Sequence, residues 1–177
     1  TIANYIKTGI PYFEKCVTVD GSAVKNPCNV IVPIGTPLKD VFEFCGGFRA
    51  EPRKVIYGGP MMGVSVPDLE QPILKNTNAL LALAESDAEL PKETSCIHCG
   101  RCIAHCPMKL APVEIERAYR MNKPEELDKL KVNLCMECGC CAYICPANRN
   151  LVQVNKLSKA RLRTWQAAEK LAKEANK

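Results

Sequence analysis

Eight of the twelve cysteines in the 177-residue sequence fall into two short runs: Cys96, Cys99, Cys102 and Cys106 before Pro107, and Cys135, Cys138, Cys141 and Cys145 before Pro146. Both have the spacing C-x2-C-x2-C-x3-C-P. The four cysteines, the glycine among them and the closing proline all recur at an offset of 39 (Cys96 and Cys135, Gly100 and Gly139, Pro107 and Pro146), so the segment is an internal duplication. Thiols this close converge on one point in space, which suits metal-bound thiolates in a reducing compartment and not the dispersed pairs of a secreted disulfide scaffold. A cubane of iron and sulfide presents four iron corners, each needing one thiolate. A tight loop wraps three of them; the fourth cysteine lies too far along and ligates the other cube. The expected cofactors are two 4Fe-4S clusters, one on Cys96, Cys99, Cys102 and Cys145, the other on Cys135, Cys138, Cys141 and Cys106. Two four-thiolate zinc sites compete, although structural zinc usually draws on two separated C-x2-4-C pairs. Cys140 breaks the register and is read as a bystander, with an exchange of roles with Cys141 as the alternative. No catalytic residue is expected.

Around these ligands, Gly100 and Gly139 let the loops turn tightly and aim N–H groups at sulfur. Ile97, Ile103, Met108, Leu110, Met136 and Ile144 are placed to exclude water. His98 and His105 flank ligands, but electron transfer needs no proton carrier, so packing or solvent contact is expected of them. Arg101 and Lys109 have two readings: positive charge that favours a reduced cluster or steers an acidic partner, and plain solvated charge.

Composition sets the class. Apolar residues make up 47% and charged residues 24%, as in soluble globular chains and unlike disordered ones. The longest apolar run, Ala79 to Ala84, is far short of the roughly 20 residues of a membrane helix. With 2 His in the chain, a histidine-rich metal site is excluded. The net charge of +5 is uneven: residues 1–90 carry 8 Lys and Arg against 10 Asp and Glu, and residues 91–177 carry 16 against 9. Part of that excess offsets the roughly −2 charge of each oxidised four-thiolate cluster. Most of it lies after Pro146, at Arg149, Lys156, Lys159, Arg161, Arg163, Lys170, Lys173 and Lys177, where a solvated helix face competes with docking on a membrane-embedded partner or anionic lipid.

Several elements must position the cysteines. Ile2, Tyr5 and Ile6 open residues 1–15, read as the remnant of a preceding domain because the chain starts at Thr1 without a signal sequence. Residues 16–75 form a first domain: a hairpin of Cys16 to Val19 and Asn29 to Val32, a helix with Thr36 as N-cap, Pro37 as its first residue and Leu38, Val41, Phe42 and Cys45 as its stripe, then strands at Lys54 to Tyr57 and Gly63 to Val66. That order predicts a small half-open sheet with one helix across it. The run from Gly58 to Gly63 reads as a tight turn, because a phosphate cradle would end in Gly-Lys-Ser/Thr and lead into a helix. Residues 76–92 are read as a linker. Residues 93–150 hold the cysteine runs, with helices opening at Ala111-Pro112 and Lys123-Pro124; the 28 residues between Cys106 and Cys135 show no strand signal, which predicts the helical kind of two-cluster ferredoxin domain. Residues 151–177 predict a basic amphipathic helix with Leu151, Val154, Leu157, Leu162, Trp165, Ala168 and Leu171 on one face.

Tyr12 to Gly21, Val32 to Thr36, Gly58 to Gly63, Asn76 to Ala79 and the two cysteine runs together resemble the C subunit of the Rnf ion-translocating electron-transport complexes, over nearly the whole chain. The resemblance implies an α+β chain: a small β-grasp (SLBB, ubiquitin-like) domain, then an all-α two-cluster ferredoxin domain and the C-terminal helix. It implies FMN and NADH only on a preceding domain absent from this sequence, and places no residue of this chain against them. It implies electron transfer between NADH and ferredoxin, coupled by the assembly to sodium or proton translocation, with a fragment inactive alone. The implied partners are the other subunits of the complex, membrane-embedded ones included, and the flavin domain of the same chain. No nucleic acid is expected, and the implied place is the cytoplasmic face of the bacterial inner membrane, peripherally bound. The cobalamin reductase of propanediol-utilising microcompartments shares the layout and would change only the electron acceptor. A binding module with structural metal sites is the reading from a different class.

Overall fold

The computed structural model describes residues 2–175. The chain divides into two compact units at Leu90 and Pro91.

The first unit starts with a short exposed helix, α1 (Ile2–Thr8). The hairpin follows as β1 (Glu14–Asp20) and β2 (Cys28–Pro33), paired antiparallel with Cys16 opposite Ile31. Alternation decides its faces: Val17, Val19, Val30 and Val32 point inward and are buried, while their neighbours face out. Helix α2 (Leu38–Phe44) lays Leu38, Val41 and Phe42 on this surface. Strands β3 (Lys54–Tyr57) and β4 (Val64–Val66) form a second antiparallel pair across the turn from Gly58 to Gly63, which is closed by Gly63 N–H donating to the Gly59 carbonyl at 2.8 Å.

Two local expectations are corrected. Thr36 does not cap α2: its hydroxyl donates to the Pro33 carbonyl at 2.9 Å and Pro37 occupies the cap position. The helix does without a side-chain cap because Leu38 and Lys39 donate their free N–H groups to the carbonyls of Gln71 and Leu69. The stretch 76–92, read as a linker, contains β5 (Ala79–Leu83) and a single turn of helix, α3 (Glu85–Ala88). β5 runs parallel to β1 and antiparallel to β3, giving the order β2-β1-β5-β3-β4. A mixed sheet with its first and last strands parallel and adjacent, and one helix across it, is the β-grasp arrangement. Leu80 and Ala82 on β5 are completely buried and join Phe42 and Ile73 in the core.

The chain leaves β1 at Gly21 and passes against β5, with Ala23 N–H donating to the Ala82 carbonyl at 3.0 Å; φ at Gly21 is +118°, outside the range that L side chains readily adopt. An added Cβ there would lie 2.2 Å from the Ala82 carbonyl oxygen. Gly21→Ala is expected to destabilise this unit by roughly 3 kcal/mol or more, from backbone strain and steric overlap together. Amide hydrogen exchange along β1 and β5 would register the loss, and undiminished protection would contradict the packing described.

The second unit is helical: α4 (Arg101–Ala104), α5 (Pro112–Arg120), α6 (Pro124–Lys129), a 3-10 turn at Val132–Leu134, α7 (Cys140–Tyr143) and α8 (Leu151–Ala175). Pro112 and Pro124 begin α5 and α6, where a missing N–H costs nothing. Ile115, Ala118, Leu127, Val132 and Leu162 form the core beneath them. The face of α8 differs from the expected stripe: Leu151, Val152, Asn155, Ser158 and Leu162 are buried, whereas Leu157 and Leu171 are 53% and 67% exposed. Helix α8 packs on α5, α6 and α7 as far as Trp165, with Gln166 Nε2 donating to Asp128 Oδ1 on α6 at 2.8 Å, and Leu171 beyond them is exposed. Among the described residues, no helix is long and apolar enough to cross a membrane.

Candidate metal centre

The offset of 39 governs the backbone as well as the ligands. Helices α4 and α7 start 39 residues apart, at Arg101 and Cys140, and so do α5 and α8, at Pro112 and Leu151. Left-handed backbone recurs with the same step, at His98 and Glu137, at Gly100 and Gly139, and at Lys109 and Asn148. Each half is therefore a loop, a one-turn helix, a left-handed turn and a longer helix. Gly100 (φ +72°) and Gly139 (φ +81°) precede the one-turn helices, in the conformation that glycine adopts without steric cost.

This plan interleaves the two runs. One cavity, of about 150 Å³, is lined by Cys96, Cys99, Cys102 and Cys145, with Ile97 and Ile103 among its apolar walls. A second, of about 20 Å³, is lined by Cys106, Cys135, Cys138 and Cys141, with Met108, Met136, Val152 and Asn155. In each, three sulfurs come from one run and the fourth from the other. Cys140 lines neither cavity; the neighbouring Cys138 thiol first, then burial and Cys106, raise its pKa.

The donor sets fit iron-sulfur clusters. All four are thiols in each cavity. Among the described residues no three His, Cys, Asp or Glu side chains converge closely enough to hold a single metal ion; each set of four cysteines lines a cavity. The first cavity has room; the second is narrow, but its walls include Met108 and Met136, flexible side chains 42% and 54% exposed that can swing outward. Backbone N–H groups already point at sulfur, from His98 to Cys96 Sγ at 3.4 Å and from Leu110 to Cys106 Sγ at 3.3 Å. Burial, then the charges of Cys135 and Cys138, push the Cys141 thiol up to about 12. Burial also raises Cys102, against the lowering effect of backbone N–H groups, and neighbouring Cys145 adds to the rise. Four crowded, half-buried thiols resist ionising together unless a metal supplies the compensating charge.

Two polar networks, one buried and one partly buried and neither seen in the sequence, frame the cavities. Glu116 on α5 is 3% exposed. Its carboxylate accepts Arg149 Nε at 2.9 Å, a second bond from Arg149 Nη2, and Arg120 Nε at 3.0 Å. Burial alone would raise its pKa, but the hydrogen bonds and charges of the two arginines outweigh it and hold Glu116 below the usual carboxylate value. Arg149 also donates to the Thr94 carbonyl at 3.2 Å, tying the segment ahead of Cys96 to the loop after Cys145. Beside the second cavity, Lys159 donates to the Cys135 carbonyl at 3.0 Å and to Glu137 Oε1 at 2.5 Å. His105 is exposed, with Nδ1 3.0 Å from the Arg101 carbonyl.

Outside this unit, Cys45 is buried at the end of α2, with its sulfur 3.4 Å from that of exposed Cys28; burial first, then Cys28, raise it to about 11. Cys16 is exposed.

Comparison with known proteins divides the chain in the same way. Residues 16–65 match the SLBB domain family and residues 90–146 the 4Fe-4S dicluster domain family. The chain is 47% identical over 111 residues to a Clostridium ljungdahlii protein described as the C subunit of a proton-translocating ferredoxin:NAD(+) oxidoreductase complex, covering 63% of this chain and 24% of that one. It is 50% identical over 110 residues to the C subunit of an ion-translocating oxidoreductase complex of Methanosarcina acetivorans, covering 62% and 24%. A protein of the same description from Rhodobacter capsulatus is 41% identical over 157 residues, covering 89% of this chain and 30% of its own length. The chain thus spans between about a quarter and a third of the relatives it matches.

Proposed function

We propose that this chain, a member of the C-subunit family of ion-translocating oxidoreductase complexes, works as an electron relay within such a complex. The observation that carries the reading is the crossed gathering of the cysteines, with Cys145 beside Cys96, Cys99 and Cys102, and Cys106 beside Cys135, Cys138 and Cys141. A 4Fe-4S cluster held by each set would accept and release single electrons. The residues around them do the rest. Ile97, Ile103, Met108 and Met136 contribute apolar walls to the two cavities, and the N–H groups of His98 and Leu110 support negative charge on Cys96 and Cys106. Glu116 and Arg149 fix the loops that carry Cys96 and Cys145 to one another.

In this reading the flavin and NADH sites lie on another part of the full-length protein, and the partners are other subunits of the complex, membrane-embedded ones included. The chain sits peripherally on the cytoplasmic face of the membrane; relatives described as subunits of ion-translocating oxidoreductase complexes support its membrane association. Coupling to sodium or proton movement belongs to the whole assembly.

Anaerobic reconstitution with iron and sulfide tests this. About eight irons and eight acid-labile sulfides per chain are expected, together with S = 1/2 electron paramagnetic resonance signals after dithionite reduction. Zinc in their place, or clusters that cannot be reduced, would overturn it.

A further inference from the structure

The two halves of the helical unit differ at one buried position. Glu116 on α5 and Asn155 on α8 occupy equivalent places, 39 residues apart, and are 3% and 1% exposed. Glu116 is bound by Arg149 and Arg120, whereas Asn155 lines the second cavity and donates its Nδ2–H to Cys135 Sγ at 3.6 Å. Among the described residues that is the one polar contact of its side chain: Asn155 Oδ1 is buried with no hydrogen-bond partner, as is Ser158 Oγ one turn on. A buried amide with an orphaned oxygen is a net cost to folding, which an apolar side chain at the same place would not carry. Packing therefore does not explain the residue. The contact to sulfur does, because a donor aimed at a cluster thiolate favours the more negative, reduced state.

We propose that Asn155 is a positioning residue for the second cluster: its amide N–H, directed at Cys135 Sγ, holds that cluster's reduction potential above the value its four thiolates alone would give. The duplicated scaffold thus carries a tuning donor in one half for which the other half has substituted a charged anchor, and the two clusters are made unequal by a side chain that ligates neither. This rests on the relay reading.

The test is a redox titration of the full chain followed by electron paramagnetic resonance, in the wild type, Asn155→Leu, Asn155→Asp and Ser158→Ala. The second cluster's signal is assigned from a chain in which Cys96, Cys99 and Cys102 are all serine. In Asn155→Leu the second cluster is expected to be about tenfold less reduced at a fixed potential, a fall of about 59 mV for one electron, with the first cluster unmoved. Asn155→Asp, nearly isosteric but without the donor and with added negative charge, should fall at least as far, and serves if the leucine variant fails to load. Ser158→Ala, equally buried but without a sulfur contact, should change neither potential. Unmoved potentials in fully loaded Asn155 variants, or equal shifts of both clusters, would overturn this inference and leave the relay intact. A wild-type chain that takes up no iron and sulfide would overturn the relay and this inference with it.

Discussion

Replacing Cys145 with serine is expected to remove the cluster served by the run that begins at Cys96, although Cys145 belongs to the other run. Iron should fall from about eight to about four per chain. The surviving signal should coincide with that of a chain in which Cys96, Cys99 and Cys102 are all serine, because both would keep only the site of Cys106, Cys135, Cys138 and Cys141. Cys106→Ser should give the reciprocal result and match a chain lacking the thiols of Cys135, Cys138 and Cys141. Cys140→Ser should leave both signals, since that thiol lines neither cavity. If Cys145→Ser instead spared the signal of the first run and erased that of its own, each loop would be closing on itself and the interleaving would be wrong.

The second large effect is on stability. Glu116→Ala strips the nearer carboxylate from Arg149, whose side chain is only 14% exposed, and leaves it Glu93 at 3.6 Å as its remaining acidic partner. A loss of up to about 3 kcal/mol, the low end for breaking a buried ion pair, is expected for the helical unit because Glu93 still faces the cation. Urea unfolding followed by the fluorescence of Trp165 would read it, since that residue packs against the Leu162 core and is the single tryptophan of the chain. Glu116→Gln, which keeps the shape but not the charge, should lose less and should remove a pH dependence. The carboxylate's pKa is depressed in the folded state, so its contribution is fully present above its ordinary value of 4.5 and is lost as pH falls through the lower folded value. The gap between wild type and Glu116→Gln is therefore expected to narrow below about pH 4.5. A gap that stayed constant down to strongly acid pH would mean that the charge contributes nothing.

The grouping of the cysteines around two cavities was legible because spacing is itself geometry: thiols two residues apart on a tight loop have little freedom, and an identical repeat must place its fourth thiol alike. Helices α5 and α6 were marked by prolines at their first positions. What escaped depends on partners distant in sequence. Ala79–Leu83 is a short run of alanine and leucine without β-branched residues, and it becomes a strand only because β1 and β3 offer it hydrogen bonds on both sides. The cap of α2 went to the loop at residues 69–71 for the same reason. Helical periodicity located α8 but assigned Leu157 and Leu171 to its buried face, because period alone does not say where the packing partners end. Glu116 and Arg149 lie 33 residues apart and carry no motif. The one available hint was the repeat, which sets Glu116 against Asn155 and so marks the place where the copies diverge.

Placing the last strand at the middle of the sheet has a consequence for how the first unit is made. During synthesis β1, β2, β3 and β4 all leave the ribosome before β5, and until Ala79–Leu83 arrives they are two separate hairpins with unsatisfied edges facing each other. Closure needs contacts across some sixty residues of chain, which slows folding and leaves apolar strand margins open to other chains in the interval. A recombinant piece cut at residue 65, where the match to the SLBB family stops, would stay in that interval permanently and is expected to aggregate. One continued through Leu90 should be soluble and monomeric.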